Sequence, residues 1–114
     1  MKAGAQAEQT AAHYLQRQGL RLLQSNYRCR FGEIDLILKD GETLVFVEVR
    51  LRSRADFGGA SASIDAHKQN RLILAAQHYL SSVSPVPPCR FDAVLLVSAD
   101  GTHGIEWLRN AFQL

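Results

Sequence analysis

Two acidic residues, Asp35 and Glu48, lie where the sequence otherwise predicts apolar strands. Asp35 stands among isoleucines and leucines, and Glu48 falls inside residues 44–50, the strongest strand signal in the chain. An ionised carboxylate costs free energy to bury unless it is paired or binds a metal. Oxygen ligands suit Mg²⁺ or Mn²⁺, and a bound ion activates water and neutralises charge that grows on a phosphodiester. The pair therefore predicts a metal site, and the alternative is a salt bridge to Arg50 that closes a strand end.

Glu8 and Lys68 are expected to reach the same place from two helices. Glu8 is almost in line with Leu15 on the first helix, on the side that faces the core. Lys68 lies on the apolar side of the second helix, so its stem can follow the core while its ammonium reaches the sheet end. Strand side chains alternate between faces, which puts Glu48 and Arg50 on one side of their strand. These positions predict three carboxylates beside two cations.

The elements that must position these side chains follow from the apolar periodicity. The order α-β-β-β-α-β predicts an α/β fold, a mixed central sheet flanked by helices, and residues 1–114 are expected to form one domain. Helical spacing covers residues 5–18 and 63–81, with Ser63 as the cap of the second helix. Strand patterns cover residues 20–27, 33–38, 44–50 and 90–97, with 105–108 able to add a last short strand. The turn residues Asp40-Gly41 favour an antiparallel hairpin of the second and third strands.

The distribution of charge is more informative than its total. The 114 residues carry a formal net charge of +2, yet six of the 13 basic residues fall between Arg28 and Arg54. This clustering favours a surface that binds phosphates, and a merely solvated surface is the alternative. No leader pattern begins the chain and no apolar run is long enough to cross a bilayer. With two cysteines in no paired spacing, a cytoplasmic protein with reduced thiols and no membrane contact is expected.

The block from Gly32 to Ile37, followed by Glu48-Val49-Arg50, resembles the core motif of the PD-(D/E)xK nucleases. Over nearly the whole chain the sequence is similar to the YraN family, small bacterial endonuclease-like proteins that resemble archaeal Holliday-junction resolvases. The segments that carry this similarity are Gly4, Glu8 to Leu15, Gly19, Asn26 to Arg30, Gly32 to Ile37, Val45 to Arg50, Lys68 to Leu80, Arg90 to Asp92, and Asn110 to Phe112. The resemblance implies a restriction-endonuclease-like fold and hydrolysis of DNA, including branched or structured DNA.

The resemblance also implies roles for individual residues. Asp35 and Glu48 correspond to metal ligands, the Val49 carbonyl corresponds to a backbone ligand, and Glu8 corresponds to an acid that assists the metal site. Arg50 stands where the motif has a lysine. Arginine stays protonated and cannot act as a base, but it supplies charge and a bidentate hold on phosphate. Lys68 is the candidate for a displaced lysine, so the expected catalytic set is Asp35, Glu48, Arg50 and Lys68.

Three functions remain open on the sequence alone. The first is a metal-dependent DNA endonuclease. The second is a non-catalytic nucleic-acid-binding module on a nuclease fold, which the arginine at position 50 favours. The third is a protein-interaction module in which the acids form structural ion pairs. In the first two, the side chains expected to bind backbone phosphates are Arg28, Arg30, Arg52, Arg54 and Arg71.

A homodimer is a further implication of the resemblance, because related resolvases act as dimers on two-fold symmetric junctions. The candidate interface residues are Phe57, Trp107 and Phe112, provided that they are exposed. The alternative is that these aromatic side chains pack inside the chain.

Overall fold

The computed structural model describes residues 4–52 and 64–112, which form one five-stranded sheet with a helix on each face. In chain order the elements are α1 (Ala5–Arg17), β1 (Arg21–Cys29), β2 (Gly32–Asp40), β3 (Thr43–Leu51), α2 (Ala66–Leu80), β4 (Cys89–Leu96) and β5 (Ile105–Phe112). The predicted α/β class, with a mixed sheet between helices, is confirmed. No helix in the two described ranges is long and apolar enough to cross a membrane.

The strands lie side by side in the order in which the chain makes them. β1, β2 and β3 are antiparallel neighbours, and the predicted hairpin closes with Asp40 opposite Thr43. Gly41 has a φ of 60° in this turn, a conformation that glycine adopts without steric cost. β3 and β4 are parallel, so the chain must cross over between them, and α2 makes that crossover. β5 returns antiparallel to β4.

The two faces of the sheet have separate hydrophobic cores. On the α1 side, the three valines of β3 pack with helix residues such as Ala11 and Leu15. On the α2 side, Phe46 of β3 packs with Leu72 and Phe91. The alternation predicted for β3 is therefore confirmed, and it directs the side chains of even-numbered residues toward α2.

The N-terminus of α2 differs from the sequence prediction. The cap is Asp65, whose side chain accepts a hydrogen bond of 2.9 Å from the backbone N–H of Lys68. Ser63, the predicted cap, lies outside the described residues and three positions before the first helical residue, so that prediction is wrong. Aspartate is as good a cap as serine, and the sequence offers both at nearly the same place.

The C-terminal strand is longer than predicted, because β5 continues past Leu108 to Phe112. The pairing register with β4 shifts between Phe91 and Ala93, and the carboxylate of Asp92 accepts a hydrogen bond from the backbone N–H of Asn110 at this irregularity. A side chain thus replaces one backbone partner and lets the strand continue.

Two of the three aromatic residues proposed for a dimer interface pack within the chain. Phe112 is 9% exposed and stacks on Phe91 with 4.5 Å between ring centroids. Trp107 is partly buried, and its Nε1 donates a hydrogen bond of 2.9 Å to Asp92. Phe57 lies outside the described residues. For Trp107 and Phe112 the packed alternative is therefore the correct one.

Candidate active site

Asp35 and Glu48 meet where the regular pairing of β2 and β3 stops. The last paired residues are Leu36 and Val47, so Asp35 and Glu48 are the next residues on each strand. Asp35 Oδ2 accepts a hydrogen bond of 2.8 Å from the backbone N–H of Val49. The carboxylate therefore takes the position that a backbone carbonyl would have in a continuing ladder. The two strands hold the acids together at the end of the hairpin.

Both carboxylates are buried, and their proximity changes the ionisation of Glu48. Asp35 is 2% exposed and Glu48 is 6% exposed. Burial, followed by the charge of Asp35, raises the pKa of Glu48 from 4.5 to about 7, although the ammonium of Lys68 acts in the opposite direction. A divalent cation between the acids would remove their repulsion and favour ionisation of both. The donor set therefore fits a metal ion that prefers oxygen ligands.

Two cations lie beside Glu48, as the sequence predicts. Lys68 Nζ is 3.2 Å from Glu48 Oε2, and Arg50 Nη2 is 3.6 Å from the same oxygen. Within the part of the chain that the structure describes, Arg50 Nε is buried and has no hydrogen-bond partner. The cap formed by Asp65 fixes the turn of α2 from which Lys68 extends. Positive charge is thus held against the acidic pair from β3 and from α2.

Glu8 is buried on the core side of α1, as its helical position predicts. It lines a depression of about 450 Å³ together with Ser25 and Asn26 of β1. Among the described residues, no group of three or more histidine, cysteine, aspartate or glutamate side chains is arranged to hold one metal ion. Among these residues the structure therefore shows the contact of Asp35 with Glu48 and no third acid grouped with them. That Glu8 and the Val49 carbonyl contribute ligands stays a prediction.

A carboxylate pair is sufficient for magnesium, because this ion keeps several of its waters. Proteins usually hold it with one or two carboxylates and with phosphates of the substrate. Asp35 and Glu48 provide that number of acidic ligands.

A cleft of about 560 Å³ opens beside the first turns of α2. Its lining consists of Arg28, Cys29, Gly32, Glu33, Lys68, Arg71 and Leu72. Arg71 Nε donates a hydrogen bond of 3.3 Å to the carbonyl of Phe31, and a Cβ at Gly32 would lie 3.6 Å from the Arg71 guanidinium. Arg28 Nε lies 3.1 Å from Glu33 Oε2. Three cationic side chains against one carboxylate make the lining net positive, which suits phosphate groups.

The five arginines predicted to bind phosphates have different surroundings. Arg28 and Arg71 line the cleft. Arg30 is exposed at the adjoining turn, with its guanidinium 4.9 Å from the centre of the Phe31 ring. Arg52 follows the end of β3 and is partly buried. Arg54 lies outside the described residues.

Asp92 is a buried acid to which the sequence analysis assigns no role. It is 1% exposed, and its carboxylate accepts hydrogen bonds from Arg90 Nε, Trp107 Nε1 and the Asn110 backbone N–H at 2.9 to 3.2 Å. Both carboxylate oxygens of Asp92 already accept hydrogen bonds, so this side chain links β4 to β5. The available signal was an arginine and an aspartate two positions apart in an apolar strand, which places them on one face.

Together, the fold and the site define an α/β domain with a buried acidic pair where the pairing of two central strands stops, bordered by cations and a basic cleft. The chain belongs to the family described as "Uncharacterised protein family UPF0102", whose profile matches residues 7–96. This membership confirms the resemblance to the YraN family.

Full-length relatives support the same assignment. A UPF0102 protein of Nitrosomonas europaea is 61% identical over 109 residues, which cover 96% of this chain and 92% of the relative. One from Nitrosospira multiformis is 57% identical over 111 residues, covering 97% and 92%. One from Psychromonas ingrahamii is 54% identical over 110 residues, covering 96% and 88%. These descriptions name the family and state no activity.

Proposed function

We propose that this protein is a metal-dependent endonuclease of the cytoplasm that hydrolyses DNA phosphodiesters, with branched or structured DNA as its substrate. The observation that carries the proposal is the buried contact of Asp35 with Glu48. A purely structural ion pair would join each acid to a cation, whereas two adjoining acids cost free energy until a cation binds between them. Such an arrangement is typical of sites that hold metal ions and act on phosphates.

Each group has a distinct task in this reaction. Asp35 and Glu48 would hold Mg²⁺ or Mn²⁺, which when bound supplies Lewis acidity and lowers the pKa of water. Lys68 and Arg50 would stabilise the negative charge that grows on the phosphate as water adds to phosphorus and the bond to the leaving oxygen breaks. The arginines of the cleft would hold neighbouring backbone phosphates and so fix the position of the strand.

Cleavage assays on labelled linear, flapped and four-way-junction DNA test the proposal. The native protein is assayed with magnesium or manganese beside Asp35→Ala and Glu48→Ala proteins that are purified in parallel. Cutting by the native protein alone is the expected result. Equal cutting by all three would mean that a contaminant is responsible.

Metal binding can be tested without activity. Magnesium is expected to raise the melting temperature of the native protein, because a ligand that binds only the folded state stabilises it. The Asp35→Ala protein should lose this increase. Glu42→Ala, which removes an exposed acid at the β2–β3 turn, is the matched control and should retain it.

The contact of Arg50 with Glu48 favours a second candidate function, a nucleic-acid-binding module that cuts nothing. In that case a guanidinium would occupy permanently the place where a catalytic lysine acts in the motif. The protein would then bind DNA in a salt-dependent way without cleaving it. Binding by the native protein with no cleavage in either metal would establish this candidate over the first.

A further inference from the structure

A cluster of stacking groups adjoins the basic cleft at the turn between β1 and β2. Phe31 is partly exposed in this turn, and its ring centroid lies 6.1 Å from that of His78, an exposed residue of α2. The Arg30 guanidinium lies over the Phe31 ring at 4.9 Å. The Tyr27 hydroxyl hydrogen-bonds His78 Nδ1 and so fixes the imidazole. We call Tyr27, Arg30, Phe31 and His78 the turn cluster.

The turn cluster is connected directly to the cleft and through it to the acidic pair. The Phe31 carbonyl accepts a hydrogen bond of 3.3 Å from Arg71, which lines the cleft. Lys68 lies one helical turn before Arg71, lines the same cleft and contacts Glu48 at 3.2 Å. An aromatic ring, cations suited to phosphate and the candidate metal ligands therefore follow one another along one side of the molecule.

The spatial order of these groups suits a nucleotide whose base is not paired. Aromatic rings and guanidinium planes stack on the faces of bases, whereas cations bind the phosphates. In a continuous duplex each base is covered by its neighbours and cannot reach a protein ring. A base beside the bound phosphate can therefore use the turn cluster only where the strand is unpaired.

The geometry points to the turn cluster as a stacking site for an unpaired base, which gives the protein a preference for DNA with a single-stranded segment over continuous duplex. This inference rests on the proposed function for the identity of the ligand as DNA. It adds the feature by which a flapped molecule differs from continuous duplex. A role for Phe31 in merely packing the turn against α2 is the competing explanation.

Binding of labelled DNA by a Phe31→Leu variant separates the two explanations. Leucine keeps an apolar side chain for packing but has no ring. Without divalent metal, the variant should bind a single-stranded oligonucleotide about 5- to 100-fold more weakly, whereas its binding of the duplex of the same sequence should change by less than about twofold. Phe31→Trp should restore the difference. Val86→Ala, at an exposed site outside the cleft, is the control and should change neither.

Equal weakening for both DNAs, or no change for either, would overturn the inference. If Phe31→Leu lowers the melting temperature, Arg30→Lys is decisive, because lysine keeps the charge and loses the stacking plane. Selective weakening of single-strand binding supports the inference, and an equal effect overturns it. Cleavage by the native protein with no selective effect would leave the nuclease and refute the stacking site. Selective binding without cleavage would support the stacking site and refute the nuclease. Binding of neither DNA would refute the stacking site, and the cleavage assay in magnesium or manganese would then decide the nuclease.

Discussion

Glu48 is the residue at which burial, a like charge and an opposite charge act together. Burial of the carboxyl group and the charge of Asp35 favour the protonated form of Glu48, while the ammonium of Lys68 favours the ionised form. The first two effects prevail, and the pKa rises to about 7. A carboxyl group of this kind changes its charge near neutral pH, where an isolated glutamate would be fully ionised.

In the metal-free protein, this residue should make stability fall with increasing pH. A pKa that is higher in the folded state contributes stability below about pH 4.5, and the contribution is lost as the pH rises through about 7. Glu48→Gln should therefore be more stable than the native protein at pH 8, by up to roughly 3 kcal/mol, and similar to it at pH 4. Denaturant unfolding in EDTA measures this difference. Glu42→Gln, at an exposed site, is the matched control.

Lys68 and Arg50 both contact Oε2 of Glu48, and we expect Lys68 to be the cation that stabilises the transition state. Lys68→Ala should lower the single-turnover cleavage rate about 100-fold or more, as expected when a charge that stabilises a transition state is removed. Adding Arg50→Lys to this variant, which restores lysine at the motif position, should recover part of the rate. An unchanged rate in Lys68→Ala would exclude Lys68 from the catalytic set.

At the scale of elements, the two antiparallel strands and the crossover helix have different parts in the site. The β2–β3 hairpin brings Asp35 and Glu48 together, and α2 returns over the sheet and supplies Lys68. β4 and β5 complete the sheet on the side of β3 opposite to β2, and Asp92 lies in β4. The hydrogen bonds of this acid hold β4 to β5.

Asp92→Ala should destabilise the protein by about 2–4 kcal/mol, because it leaves the Trp107 and Asn110 donors unpaired, whereas Arg90 keeps its ion pair with Asp40. Asp92→Asn should cost less, since the amide oxygen still accepts hydrogen bonds. Denaturant unfolding of the three proteins measures the differences. A loss of less than about 1 kcal/mol in the alanine variant would contradict the anchoring role.

For the whole molecule, the arrangement of charge matters more than the formal net charge of +2. Three cations collect in one cleft beside the acidic pair. A surface of this kind attracts a polyanion even when the protein as a whole is nearly neutral. The consequence is a measurable dependence of DNA binding on salt.

Arg28→Ala and Arg71→Ala should each weaken DNA binding and reduce the slope of log K against log salt by about one, because each arginine displaces roughly one counterion from a phosphate. Arg17→Ala, which removes an exposed arginine at the end of α1, is the matched control and should leave the slope unchanged. Fluorescence anisotropy titrations at several salt concentrations give the slopes. Equal slopes for all four proteins would place the bound DNA elsewhere.

The faces on which the candidate residues lie were predictable from the amino-acid pattern alone. Glu48 and Arg50 share a face because strand side chains alternate, and Glu8 and Lys68 face inward because helices repeat every 3.6 residues. Both rules are local, so they hold before any long-range contact is known. The order of helices and strands was predictable on the same basis, although the bounds of elements, such as the start of α2 and the end of β5, were not.

Which of these side chains meet depends on long-range contacts of the folded chain. Asp35 accepts a hydrogen bond from the Val49 N–H because the β2–β3 ladder stops beside it. In the same strand, Ile34 and Ile37 are three residues apart and both lie on the α2 side, so the alternation of side chains between the two faces fails at this point. Lys68 contacts Glu48, whereas Glu8 belongs to no three-residue cluster in the described chain. These outcomes depend on strand register and on the crossover of α2, which join residues distant in sequence and leave no local pattern.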